Sequence, residues 1–213
     1  MTPTAWKIPT PPDEAAAAPS ALRSSSLVVA GRPTIAATRD RVAAGKRRYG
    51  SILPERTVPH RPFFSRDGIT LIAECKKASP SRGVMLEEYH PERLARAYTA
   101  GGATALSVLT EPNFFLGSDE HLSRVRDAGG LPLLRKDFML EAWQIRESHS
   151  LGADCILLIA ALLPDGLLEE LALLAMSLQM EVLLETHTEE ELERAARLPA
   201  TAAGFIRRKR PSR

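Results

Sequence analysis

Four ionisable residues stand where an apolar strand would be expected to continue. Glu74 and Lys76 lie two apart in Leu71-Ile72-Ala73-Glu74-Cys75-Lys76. Lys136 closes the run Leu131-Pro132-Leu133-Leu134-Arg135-Lys136, and Glu185 closes Glu181-Val182-Leu183-Leu184-Glu185. In a strand, a spacing of two puts both side chains on one face. Ammonium and carboxylate groups gathered in a partly dry mouth shift one another's pKa values and can act as acid–base pairs. A rim of structural salt bridges would use the same spacing.

Two neighbouring features bear on that choice. The loop Ser79-Pro80-Ser81-Arg82-Gly83 is either a plain turn or an active-site loop holding an anionic group. Phe114, Phe115 and Phe138 fall in segments that should be polar loops. One such phenylalanine usually packs down, whereas several around one mouth suit a hydrophobic wall for a flat ring.

The elements that must position these residues are visible as alternation. Strands are predicted at 71–76, 105–109, 131–136, 155–160 and 181–185, with a sixth starting around 202–206. Helices are predicted at 91–100, 119–128, 141–151, 165–178 and 188–197. Pro91 suits a first helical position, and Thr188 with Glu191 has the spacing of a capping box. Gly101-Gly102 suits a helix stop. Strict alternation implies parallel strands joined by crossovers, in an open doubly wound sheet or a closed barrel. If the sheet is a barrel, the C-terminal strand ends form the reactive face and bring the four groups together. No glycine-rich dinucleotide turn supports a nucleotide fold.

Upstream, residues 1–36 are rich in Pro and Ala, with few large apolar residues to bury, and are expected to be a disordered extension. Residues 37–49 could form a charged helix, and Pro54, Pro59 and Pro62 break the chain into a loop; together 37–68 precede the barrel segment, 69–206. Residues 207–213 are a basic tail. That tail holds five basic groups and no acidic one, so the net charge of +2 belongs to it and the body is mildly acidic. A basic nucleic-acid surface is therefore not expected. Cys75 and Cys155 sit in apolar runs and have no metal-ligand spacing, which suits a reduced pair in the cytoplasm. The apolar run 155–163 is about half a membrane span. A secretory signal is not expected either, because the N-terminus lacks a charged segment followed by an apolar block. At 213 residues the chain is one domain, short for a β/α barrel of about 250 residues.

Five segments resemble the indole-3-glycerol phosphate synthase family. They are Ile72-Ala73-Glu74-Cys75-Lys76-Lys77-Ala78-Ser79-Pro80-Ser81-Arg82-Gly83; Leu106-Ser107-Val108-Leu109-Thr110-Glu111 with Phe114-Phe115-Leu116-Gly117-Ser118; Leu131 through Phe138; Gly152-Ala153-Asp154 through Ile159; and Leu183-Leu184-Glu185-Thr186-His187. The resemblance implies ring closure of 1-(2-carboxyphenylamino)-1-deoxyribulose 5-phosphate, with loss of CO2 and water, in tryptophan biosynthesis, using no cofactor and no metal. It implies Lys136 as general acid, Glu185 as general base, Lys76 as a substrate-contacting lysine and Glu74 as the carboxylate orienting it. Ser79 would contact the substrate carboxylate, Phe115 and Phe138 would flank the aromatic ring, and Ser107 would also face the substrate.

Beyond Leu198 the likeness fails. Gly204 alone corresponds to the family's sixth-strand motif, and Arg207 and Arg208 take no role from it. The expected fold is therefore α/β, an incomplete (β/α)8 TIM-barrel type with about five βα units and the start of a sixth. Strands seven and eight, whose loops hold phosphate in such barrels, would be missing, so the phosphate-binding residues are unassigned. Two sheet edges would stay open, and open edges invite association. Alongside a phosphorylated small-molecule substrate, self-association is thus an expected partner behaviour, with nucleic acid and membrane excluded. The competing reading is a truncated, non-catalytic fragment that associates through those edges.

Overall fold

The computed structural model describes residues 32–50, 52–65, 68–198 and the backbone of 202–205. Most of the extension expected at 1–36 and the whole basic tail lie outside the described residues.

The chain begins with helix α1 (Arg32–Tyr49). It starts at Arg32 rather than at 37, inside the segment expected to be extension. The remaining elements alternate: β1 (Ile72–Cys75), a small hairpin of β2 (Ala78–Ser79) and β3 (Gly83–Val84), α2 (Pro91–Ala100), β4 (Ala105–Leu109), α3 (Asp119–Ala128) and β5 (Leu133–Lys136). Then come α4 (Ala142–Ser150), β6 (Cys155–Ile159), a 3-10 turn (Ala160–Leu162), α5 (Asp165–Ser177), β7 (Glu181–Thr186), α6 (Glu189–Ala196) and β8 (Ala202–Phe205). The six long strands form one sheet in the order β1-β4-β5-β6-β7-β8, with every neighbouring pair parallel. This is a partial (β/α)8 barrel.

Alternation along each strand sorts side chains into two layers. Leu106, Val108, Leu133, Ile156, Leu158, Val182 and Leu184 point outward into one buried cluster with helix residues such as Leu122, Ile145 and Leu171. Ala105, Leu134, Cys155, Leu157 and Ile159 form a second, inner cluster with Phe63 and Phe138. A parallel sheet needs apolar cover on both faces, and the two clusters supply it.

Local chemistry fixes the ends of the elements. Pro91 opens α2, where its missing N–H costs nothing. Gly102, at φ +90°, ends that helix in the left-handed region a side chain would disfavour. Thr188 caps α6 by accepting from Glu191 N at 3.1 Å. The reciprocal half of the expected capping box differs: Glu191 Oε2 accepts from His187 N at 2.7 Å, one residue before the cap.

The N-terminal ends of the strands are closed by the segment 52–64. Phe63 is buried in the inner cluster, and the N–H groups of Phe63 and Phe64 both donate to Glu181 Oε2 at the start of β7. Asp154 accepts from the Arg56 guanidinium (2.8 Å), Arg126 (2.6 Å), Arg61 N (3.1 Å) and Leu133 N (2.9 Å). Helix α1 packs on α4 at Gly45, where a Cβ would collide with the Trp143 ring. Arg41 of α1 reaches Asp137 at the end of β5 at 2.7 Å.

Candidate active site

At the C-terminal strand ends lies a cavity of about 480 Å³. Its wall includes Glu74, Lys76, Ser79, Glu111, Phe115, Lys136, Phe138 and Glu185. Seven of the eight residues expected at the site are thus brought together. Ser107 is the exception. It lies deeper on β4, paired in register with Glu74 of β1 and Leu134 of β5, and is 3% exposed. Its Oγ is buried without a hydrogen-bond partner, and it does not line the cavity. Leu109, two residues on along the same face, takes the wall position instead.

Charge in the cavity includes two ammonium–carboxylate pairs, alongside Arg82, Glu111 and Asp137. Lys76 donates to Glu74 beside it on β1, as the spacing of two requires. Lys136 Nζ lies 4.0 Å from Glu185 Oε2, across from β5 to β7. The Glu185 side chain is fully buried, whereas that of Lys136 is 21% exposed. Neither oxygen of Glu185 accepts a well-formed hydrogen bond from a described residue. A buried carboxylate left in that condition is costly, so its persistence is characteristic of a working site.

The loop after β1 folds back as the β2–β3 hairpin, with Ser79 opposite Gly83. Gly83 turns the chain at φ +68°. The loop was expected as a polar loop, and pairing between residues four and six positions apart was not apparent from its composition. Ala78 N donates to Phe115 O at 3.3 Å, tying the hairpin to the β4 loop.

That β4 loop is organised by Glu111, which took no role from sequence. Its carboxylate accepts from Asn113 N (2.9 Å), Phe114 N (2.7 Å) and Phe115 N (3.1 Å). Burial raises the Glu111 pKa, those N–H groups pull it back, and Asp137 pushes it up. Gly117 passes so close to the Leu109 carbonyl and the Thr110 backbone that any Cβ would collide. Phe115 is thereby set as one wall and Phe138, from the end of β5, as another.

Asp137 was missed as well. It accepts from Arg41, from Thr110 Oγ1 (2.7 Å) and from Phe138 N (2.8 Å), so it braces the residues on either side of it in the wall. Both acids lie within two residues of a strand end, and the reasoning that singled out Lys136 could have reached them. His187, two residues beyond Glu185 on the same face, is a third omission of this kind.

The cavity can therefore offer an ammonium to a developing oxyanion and a nearby carboxylate to a proton, between flat apolar walls. Among the described residues, no group of three or more His, Cys, Asp or Glu could hold a metal ion. Cys75 points away from the cavity, and burial, then Glu74, pushes its thiol up to about 12, which keeps it protonated. Among the described residues, no helix is long and apolar enough to cross a membrane.

A family model for indole-3-glycerol phosphate synthase matches residues 28–209. Among solved structures, the chain is similar to a mandelate oxidase mutant with (S)-mandelic acid, at 17% identity and a TM-score of 0.46, covering 61% of this chain and 47% of that one. Mandelate oxidase with benzoyl-formic acid matches at 19% identity and a TM-score of 0.44, covering 53% and 44% of the two chains. The chain spans less than half the length of these structures.

Proposed function

Because the chain belongs to the indole-3-glycerol phosphate synthase family, we propose that it catalyses the family's reaction, the closure of 1-(2-carboxyphenylamino)-1-deoxyribulose 5-phosphate to indole-3-glycerol phosphate, CO2 and water. The observation that carries this reading is the Lys136–Glu185 pair, 4.0 Å apart in the cavity wall and faced by phenylalanines.

In this reading Lys136 protonates the ketone oxygen as the aromatic carbon attacks, which prevents full negative charge from building there. Loss of CO2 restores the ring electrons, and Lys136, recharged with a proton from solvent, then delivers it to the hydroxyl, which departs as water. Glu185 takes the proton released in that dehydration. Lys76 contacts the substrate and is oriented by Glu74, while Ser79 binds the substrate carboxylate and Phe115 and Phe138 sandwich the ring. Each proton-transfer partner contributes about 100- to 10,000-fold in rate. The residues that would grip the phosphate are left unassigned.

The test is growth of a tryptophan auxotroph lacking this enzyme, with Lys136→Ala as control and soluble protein verified in both. Growth that depends on Lys136 supports the reading. Soluble protein with no growth contradicts it.

A second reading rests on the sheet edge. β1 has no partner on its outer side among the described residues, and Leu71 and Ile69 beside it are exposed. An unpaired edge flanked by apolar side chains favours pairing with another chain. A concentration-dependent mass in light scattering would support this assembly role; a monomer at all concentrations would remove it.

A further inference from the structure

Glu185 has a second neighbour besides Lys136. His187 lies two residues on, so alternation returns its side chain to the same side of the chain. Its Nε2 sits 3.0 Å from Glu185 Oε1, the oxygen turned away from Lys136. The other ring nitrogen, Nδ1, is 3.5 Å from Glu191 Oε2 in the first turn of α6. That same Glu191 oxygen accepts the backbone N–H of His187 at 2.7 Å, so the carboxylate fixes the backbone of the residue and stands beside its ring. Glu191 is itself held because its N–H is the one that caps onto Thr188. The His187 side chain is 9% exposed and does not line the cavity.

Resting on the reading of Glu185 as the base, we infer that His187 is the positioning residue for Glu185, part of a relay Glu191–His187–Glu185 that runs from the start of α6 to the cavity wall. The imidazole stands against Oε1 at 3.0 Å and leaves Oε2, beside Lys136, as the oxygen that meets the proton. An imidazole fixed by a carboxylate behind it is a recurrent way to set the orientation of a working group. Here the order is turned round, with the carboxylate at the working end. Because His187 does not touch the cavity, its loss acts on turnover rather than on binding. The charged groups within ion-pair distance of the pair are Lys136 of β5, Glu185 of β7 and Glu191 of α6.

Two measurements test this. In steady-state kinetics, His187→Leu is expected to lower kcat by about 10- to 100-fold, with KM within about twofold. His187→Gln, whose amide can take the place of the ring beside Oε1, is expected to recover most of that loss. If His187→Leu keeps the parent kcat, or if the Gln variant is as poor as the Leu variant, the inference is wrong. Lys136→Ala separates the two levels. If it leaves turnover intact, the acid–base reading itself fails; if it abolishes turnover while His187→Leu does not, only the relay fails. The second measurement needs no turnover: the nitrogen chemical shifts of the His187 ring are recorded by NMR in the full chain at one fixed pH. Glu185→Gln is expected to shift the Nε2 resonance and Glu191→Gln the Nδ1 resonance. An unchanged Nε2 resonance in Glu185→Gln overturns the relay in active and inactive protein alike.

Discussion

Glu181 and Glu185 stand four residues apart on the same face of β7, yet their surroundings are opposite. At the N-terminal end, Glu181 Oε2 takes two backbone N–H groups from the strap at Phe63 and Phe64. At the C-terminal end, Glu185 is more deeply buried and accepts no well-formed hydrogen bond from any described residue. The same contrast holds across the sheet. Asp154 at the lower end is saturated by three arginine-derived donors and Leu133 N, whereas Lys136 at the upper end has one carboxylate 4.0 Å away. The lower end of the partial barrel uses these groups for cohesion; at the upper end Glu185 is left without a hydrogen bond beside Lys136, ready for chemistry.

The sharpest way to break the comparison is to neutralise each glutamate in turn. Glu185→Gln is expected to reduce turnover by about 100- to 10,000-fold and to leave the urea midpoint unchanged or higher. Glu181→Ala is expected to do the reverse, costing about 1–3 kcal/mol for N–H groups left unsatisfied while turnover per folded molecule stays constant. If Glu181→Ala lowers turnover and spares stability, the division of labour is wrong.

A second contrast lies within β5, where neighbouring residues face opposite ways. Arg135 is fully buried on the outer side, with Asp119 and Glu147 each at 2.8 Å and Asp137 at 3.8 Å. Burial works against its charge, but those carboxylates outweigh burial and raise its pKa. Arg135→Met should cost about 3–5 kcal/mol, the scale for stranding buried partners, and chemical denaturation would show it. Lys136→Met, at a side chain 21% exposed with a single distant partner, should barely move the midpoint.

Smaller effects refine the picture. Gly117→Ala should cost about 1–3 kcal/mol, the usual range for overpacking, because its Cβ would meet the Leu109 and Thr110 backbone. It should also raise KM by displacing Phe115. The last prediction concerns pH at the lower end. His60 and His149 stack with ring centroids 5.3 Å apart, and burial, then Arg56, lowers both pKa values. A depressed folded-state pKa gives stability that is complete above the unfolded value of about 6.5 and is lost as pH falls through the folded value. The urea midpoint should therefore drop below about pH 6.5, and His149→Gln should flatten that dependence. A parent midpoint that does not change between neutral and mildly acid pH would remove the effect.

Much of this was legible beforehand. Helices at 91–100 and 119–128 and the strand at 105–109 fall where the apolar periodicity and the Pro and Gly punctuation put them. The cavity residues were legible because charge in a strand is anomalous. What escaped depends on partners far along the chain. Arg41 meets Asp137 across 96 positions, and Glu181 meets Phe63 across 118. No local pattern announces such pairs. Helix α1 was read as starting late because Arg32 and Pro33 follow a Pro/Ala-rich stretch, though Pro is at home in a first helical turn. Ser107 falls outside the cavity lining, because its motif marks the strand but not the depth along it.

The adjacency of Arg135 and Lys136 has a consequence for how the chain finds its structure. A slip of β5 by one residue against β4 or β6 would turn every side chain to the opposite face. The Lys136 ammonium would enter the apolar layer under the helices, and the Arg135 guanidinium would leave Asp119 and Glu147 without a counter-charge. Misaligned folding intermediates therefore carry their own electrostatic penalty. The alignment of the reactive strand is proofread from behind, by groups that never meet the substrate.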